Sequence, residues 1–316
     1  MNVRRKIIIT IALVVFSLTT LVTTTFAWFS IAQSATVGDL ELTVTNGGSL
    51  LISLDGENYY DNLNKDLFGD YIKNGLVLKD VSTSDLNIFY NSYEGDEAIP
   101  NKDYLTFTLY FRCDDAEMDG LYLADNISTD VRYNYEVAEN NKLKGTYVFS
   151  KGVPFKSPVT FQYSETDVMQ KGQQGTFYAQ DAIRFGFKEL PFDDEDTRTE
   201  FAKVIFDPSA NPDRGYGVEY GAFDFIRKYI DAYIPAPLTT PETVYQLTRY
   251  NYNYYAQNND SLCASFQPRQ VGNKTYYFAK VQVSVWLEGW DADCFDAIYK
   301  DSMLLQFYFR SAIKAE

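Results

Sequence analysis

Tyr276-Tyr277-Phe278-Ala279-Lys280-Val281-Gln282-Val283-Ser284-Val285-Trp286-Leu287 decides the fold class. Ala279, Val281, Val283 and Val285 share one parity; Phe278, Lys280, Gln282 and Ser284 share the other. A period of two belongs to a strand, whose successive side chains point to opposite faces. Similar short runs recur at 104–112, 132–137, 146–149, 159–163, 182–187 and 304–309. Between them lie Asn, Asp, Gly and Pro, residues that break strands and make turns. The pattern predicts an all-β chain, a jelly-roll-like sandwich. Toward the start, Leu40, Leu42 and Val44 alternate with Asp39, Glu41 and Thr43. Asn46-Gly47-Gly48 and then Leu50-Leu51-Ile52-Ser53-Leu54 complete a predicted hairpin, closed after its second strand by Asp55-Gly56.

One segment departs from this period. From Tyr220 to Tyr233, Phe223, Ile226, Ile230 and Tyr233 recur at spacings of three and four, with Arg227, Lys228 and Asp231 between. That spacing predicts one amphipathic helix, stopped by Pro235 and Pro237. The surrounding stretch, 190–260, is rich in loop residues and reads as an insertion into the sandwich. No internal repeat of solenoid period is present.

The first residues concern location. Arg4, Arg5 and Lys6 precede Ile7 to Ile31, which carries no charge. A basic start followed by an apolar core is the pattern of an export signal, here an amino-terminal hydrophobic helix. Two outcomes compete. Cleavage after Ala27 yields a secreted chain; retention yields a single-pass anchor with the three cations in the cytoplasm. The predicted organisation is therefore a signal peptide or anchor at 1–27, a donor strand or tether at 28–37, and a β-sandwich at 38–316. Membrane contact is expected through residues 1–27 alone.

The chain has 28 basic and 43 acidic residues, a net charge of −15. Without the three amino-terminal cations it carries 25 against 43, a net charge of −18. A field of that sign repels phosphate backbones, so nucleic acid is not an expected partner. No histidine is present. Ser-His and Cys-His nucleophiles, imidazole bases and nearly all zinc and haem sites fall away with it. The cysteines, Cys113, Cys263 and Cys294, lack CxxC spacing. They read as buried free thiols, with a Cys263–Cys294 bridge as the other option.

Thr25-Phe26-Ala27-Trp28-Phe29-Ser30, followed about ten residues on by Gly38-Asp39-Leu40-Glu41-Leu42, resembles the amino-terminal signature of Gram-positive secreted proteins of the TasA/camelysin class. These are biofilm matrix fibre proteins with a dedicated signal peptidase. The resemblance implies assembly into extracellular fibres, in which the first strand of one subunit completes the sheet of the next. It implies that Trp28 to Val37 (Trp28, Phe29, Ile31 and Val37 among them) form the donor segment, and Gly38 to Val44 the first core strand. Two further stretches, Leu51 to Tyr59 and Val285 to Cys294, are similar to parts of uncharacterised Firmicute surface proteins. Physical reasoning points the same way, because an open sheet edge accepts an added strand and Ser30 to Val37 is small and uncharged. A plain tether is the other reading of that stretch.

Site residues are few. Asp291, Asp293 and Asp296 sit close together between two strong strands, a spacing that hard oxygen ligation of calcium can use. Asp193-Asp194-Glu195-Asp196 is a second acidic cluster. The alternative for both is a solvated loop. Tyr252 and Tyr254, in the run Tyr250-Asn251-Tyr252-Asn253-Tyr254-Tyr255, and Trp290 are candidate sugar-stacking residues, while Trp286, within the strand, is expected in the core. Gly215-Tyr216-Gly217 with Gly221 reads as a turn rather than a nucleotide loop. No carboxylate pair stands out for hydrolysis, and no cofactor other than calcium is implied. The sequence thus predicts a non-enzymatic surface protein, structural or adhesive, whose partners are its own copies. Surface glycans are the alternative partner, and a secreted hydrolase is a third reading.

Overall fold

The computed structural model describes residues 34–44, 50–63, 67–68, 76–124, 145–230, 237, 239, 242–251 and 254–316. Its strands are β1 (Ser34–Val44), β2 (Leu51–Ser53), β3 (Asn62–Leu63), β4 (Leu76–Thr83), β5 (Phe89–Asn91), β6 (Leu105–Cys113), β7 (Gly120–Leu123), β8 (Tyr147–Ser150), β9 (Val153–Lys156), β10 (Phe161–Gln162), β11 (Val168–Met169), β12 (Gln174–Phe177), β13 (Ile183–Leu190), β14 (Lys203–Phe206), β15 (Thr243–Val244), β16 (Leu262–Ser265), β17 (Gln267–Val271), β18 (Lys274–Glu288) and β19 (Asp301–Ala312). One α-helix, α1 (Ala222–Ile230), lies between β14 and β15. Among the described residues the fold is all-β with one inserted helix, as the period-two pattern and the single amphipathic segment predict.

Two layers face each other. One is built on β18, flanked by β13 and β6, with β14 and β15 beyond β13 and β2 beyond β6. The other is built on β19, flanked by β1 on one edge and by β7 and β8 on the other. β4 joins them: Leu76 to Lys79 pair with β1, and Asp80 and Val81 with the end of β18. Between the layers Phe185, Phe187 and Phe111 meet Phe307 and Phe309 edge to face, at centroid distances of 4.7 to 5.8 Å. Such ring pairs add stabilisation beyond their buried area. The strand alternation explains the layering. On β6 every second residue, Leu105, Phe107, Leu109, Phe111 and Cys113, is buried. On β18 the buried parity is Ala279, Val281, Val283, Val285 and Leu287.

The sheets are mixed. β1 runs parallel to β19, and β18 parallel to β4. The predicted hairpin at 40–54 is not formed. β1 pairs with β19, β4 and β3, whereas β2 pairs with β6 in the opposite layer. Leu40 and Leu42 on one side and Ile52 on the other are all fully buried, and separating them lets each layer receive an apolar strand. The first described strand begins at Ser34, within the stretch expected as a donor strand or tether. Within the 190–260 stretch, β14 extends the β18 layer through β13. The predicted helix is present at Ala222–Ile230, with Ala222, Phe225 and Ile226 buried, and residues 231–233 lie outside the described residues. Gly221 before it has φ +65°, and a Cβ there would stand 2.3 Å from the Ala292 carbonyl oxygen, so no other residue fits. The candidate strand at 132–137 and the apolar run Ile7 to Ile31 lie outside the described residues. No helix among the described residues is long and apolar enough to cross a membrane.

Candidate functional site

The strands place two features that bear on function: the position of β1, and a buried charged cluster at one end of β18. β1 is an interior strand. Ser34 to Val37 pair antiparallel with Lys79 to Leu76 on one side, and Ala35 to Val44 pair parallel with Asp301 to Phe309 on the other. The register slips between Val37 and Asp39, so Gly38 marks a break between two halves of the strand. Ala35, Val37, Leu40 and Leu42 are buried. Val37, with Ser34 to Thr36, here completes the sheet of its own chain. Trp28, Phe29 and Ile31 lie outside the described residues.

The acidic turn after β18 also differs from expectation. The Asp291 carboxylate meets Arg184 Nη2 at 2.5 Å, and Asp207 Oδ2 lies 2.9 Å from the same nitrogen. Arg184 also donates to the carbonyls of Ile183 and Gly215. Its residue is 2% exposed. Asp293 takes a two-pronged contact from Arg214, with Nε at 2.9 Å and Nη2 at 2.6 Å, while Arg214 stacks over the Tyr163 ring and donates to the Tyr163 carbonyl. The planar fork of arginine matches a carboxylate in this way. Asp296 sits apart in a 3-10 turn, its Oδ1 buried without a hydrogen-bond partner among the described residues. The expected calcium set Asp291, Asp293 and Asp296 is therefore replaced by two arginine pairs. Among the described residues no three His, Cys, Asp or Glu side chains converge to hold a metal ion. The second acidic cluster is handled alike: Asp193 pairs with Arg269 and Asp196 with Arg198.

Around Arg184 the charges are unequal. Glu288 accepts from Trp286 Nε1 at 2.9 Å and from the Trp290 amide at 3.3 Å. Burial pushes Glu288 up to about 6, with Trp286 and Arg184 opposing. Burial also raises Asp291 and Asp207, against the pull of Arg184. Nearby, burial pushes Asp80 up to about 8 and Asp296 up to about 6. One cation faces three carboxylates, so repulsion among neighbouring acids adds to burial in raising Asp207 and Asp291. Backbone bonds fasten the same turn to the segment before α1: Gly217 N to Trp290 O, Ala292 N to Arg214 O and Ala222 N to Ala292 O, each 2.8 or 2.9 Å. The cluster acts as a clamp between β13, the loop before α1 and the turn after β18.

The aromatic candidates also move. Trp290 is 5% exposed and packs against Tyr93 at 5.0 Å, so it is closed to a ligand. The turn after β18 folds inward through Glu288 and Arg214, carrying the ring with it. Tyr254 has φ +61°, is half-buried and lies 5.3 Å from the Arg310 guanidinium. Tyr252 lies outside the described residues. Trp286 is fully buried, as expected. All three cysteines are buried, and none forms a disulfide among the described residues. Sequence reasoning missed Arg184, Asp207 and Glu288. The one signal was a charged residue, Arg184, within the apolar run Ile183 to Phe187. The chain matches no protein-family model, no curated protein and no solved structure.

Proposed function

We propose that the chain is an exported surface protein of structural or adhesive role, without catalytic activity, whose copies join by exchange of β1. The single observation that supports this is the placement of that strand. β1 is the first described element of the chain, yet it is clasped on both edges by β4 and β19. Burying Val37, Leu40 and Leu42 contributes roughly 5–9 kcal/mol at about 1.5–3 kcal/mol each. That is comparable to the whole stability of a domain, so the slot cannot stand empty. It is filled within one chain or by a neighbour, and the two arrangements use the same hydrogen bonds. Exchange of an identical element is a low-cost route to assembly. The export pattern of the first residues and the resemblance to matrix fibre proteins point to the same role.

The experiment is a paired substitution, Thr36→Cys with Val77→Cys, at positions opposed across β1 and β4. Oxidation of isolated chains gives a bridge within the chain. Oxidation of material assembled at the cell surface gives a ladder of covalent multimers on denaturing gels. Assembled material that contains only bridges within single chains rules out strand exchange.

A further inference from the structure

The outer face of the β13–β18–β6 layer carries a diagonal of basic side chains. Register sets it: Lys188 lies opposite Gln282, Gln282 opposite Thr108, Lys280 opposite Tyr110, and Phe278 opposite Arg112. Residues directly opposed share a face, so Lys188, Lys280 and Arg112 all point away from the core. Each lies one strand over and two residues along from the next, a step of about 7–8 Å. None of the three makes an ion pair among the described residues, although the chain has 43 acids. Their contacts are of another kind. The Arg112 guanidinium is held between the Tyr59 and Tyr276 rings, at 4.7 and 5.1 Å, and Lys280 sits 5.4 Å from the Tyr110 ring. Lys188 reaches Asn87.

We infer that this diagonal, Lys188, Lys280 and Arg112 with Thr108, Gln282 and Tyr110 between them, is a binding face for a linear acidic polysaccharide. The charge calls for an anion. Regular spacing along one face of the sheet suits a chain with repeated carboxylates. Thr108 and Gln282 both donate and accept hydrogen bonds, as sugar hydroxyls require, and tyrosine rings present apolar surface beside a polar tip. An acidic peptide would instead add along a sheet edge, where backbone groups are open; this face presents side chains only. Arginine clamped between rings is already ordered, which lowers the entropy lost on binding. The inference deepens the adhesive half of the proposed role and does not depend on strand exchange, so binding by unassembled chains separates the two.

The test is affinity electrophoresis of the full chain through gels containing polygalacturonate, dextran or poly-glutamate. Polygalacturonate retards the protein, less so as salt rises, and the other two do not. The double variant Arg112→Gln, Lys280→Gln loses about tenfold or more in affinity. Lys171→Gln, an exposed cation outside the diagonal, changes nothing. Thermal melts of the variants verify that they fold. A folded double variant that binds as wild type, equal retardation by dextran, or stronger retardation by poly-glutamate overturns the proposal.

Discussion

Replacing Arg184 by Met tests the clamp at its centre. The substitution keeps an unbranched side chain and removes the charge that Asp207 and Asp291 share. Both carboxylates are at most 1% exposed. Removing one partner of a buried pair costs about 3–5 kcal/mol, because the remaining charge is uncompensated. The acids have an escape, which sets a ceiling: each can take up a proton. For an Asp of ordinary value near 3.9, that costs about 5 kcal/mol at pH 7.5 and about 1 kcal/mol at pH 4.5. The expected loss is therefore about 4–5 kcal/mol at pH 7.5, shrinking to about 1 kcal/mol or less at pH 4.5. In the wild type the trend is reinforced, since protonated acids leave Arg184 itself unpaired at low pH. The assay is urea unfolding at both pH values, followed by tryptophan fluorescence. Phe307→Ala is the control: its cost of about 3–5 kcal/mol comes from a cavity and is the same at both. A loss in Arg184→Met that does not change with pH, or one below about 1 kcal/mol at pH 7.5, would refute the electrostatic account.

Three further outcomes follow from other parts of the molecule. Glu288, raised to about 6, holds a proton in the folded state that the unfolded chain has released. Its contribution is complete below the unfolded value and is lost as pH rises through about 6. Glu288→Gln should remove that loss, flattening stability between pH 4.5 and 7 by up to roughly 2 kcal/mol in matched denaturation series. Gly221→Ala sets a Cβ against the Ala292 carbonyl at a positive φ, so it should destabilise by more than about 1 kcal/mol and perturb α1, read by circular dichroism and thermal melting. Native protein treated with iodoacetamide should keep Cys113, Cys263 and Cys294 unmodified by mass spectrometry, and unfolded protein should lose all three, because burial pushes each thiol up.

How much of this was legible beforehand depends on the range of the interaction. β18 and β6 were readable because alternation is local: each strand buries one parity whatever its partner. α1 was readable for the same reason at a different period. The pairing of β1 was not. The Asn46-Gly47-Gly48 signal speaks for a hairpin, but the strand's best contacts come from residues 301–309, at the far end of the chain. Trp290 was misplaced for a similar reason. It lies beyond a strand end, which locally means exposure, and its turn is folded back largely by contacts distant in sequence, from Arg184, Arg214 and the segment before α1. The acidic turn illustrates the limit best. Asp291 and Asp293 stand close in sequence as calcium ligands do, and their chemistry was settled by two arginines about 80 to 110 residues away.

Those arginines also bear on the outer face of the sheet. An acidic chain that shields its buried carboxylates has few cations to spare, and Arg184, Arg198, Arg214 and Arg269 are all committed to acids. Against that demand, Lys188, Lys280 and Arg112 make no ion pair among the described residues while facing outward along one line. Adding a carboxylate neighbour to any of them would have been the simpler arrangement for stability, since exposed pairs cost little and contribute up to about 1 kcal/mol. A Thr108→Glu substitution makes that neighbour. It should leave the fold unchanged and silence the diagonal at its centre through competition for Lys280, its diagonal neighbour across β6 and β18. If the variant still binds polygalacturonate as tightly as wild type, the cations act separately and the diagonal is not a site.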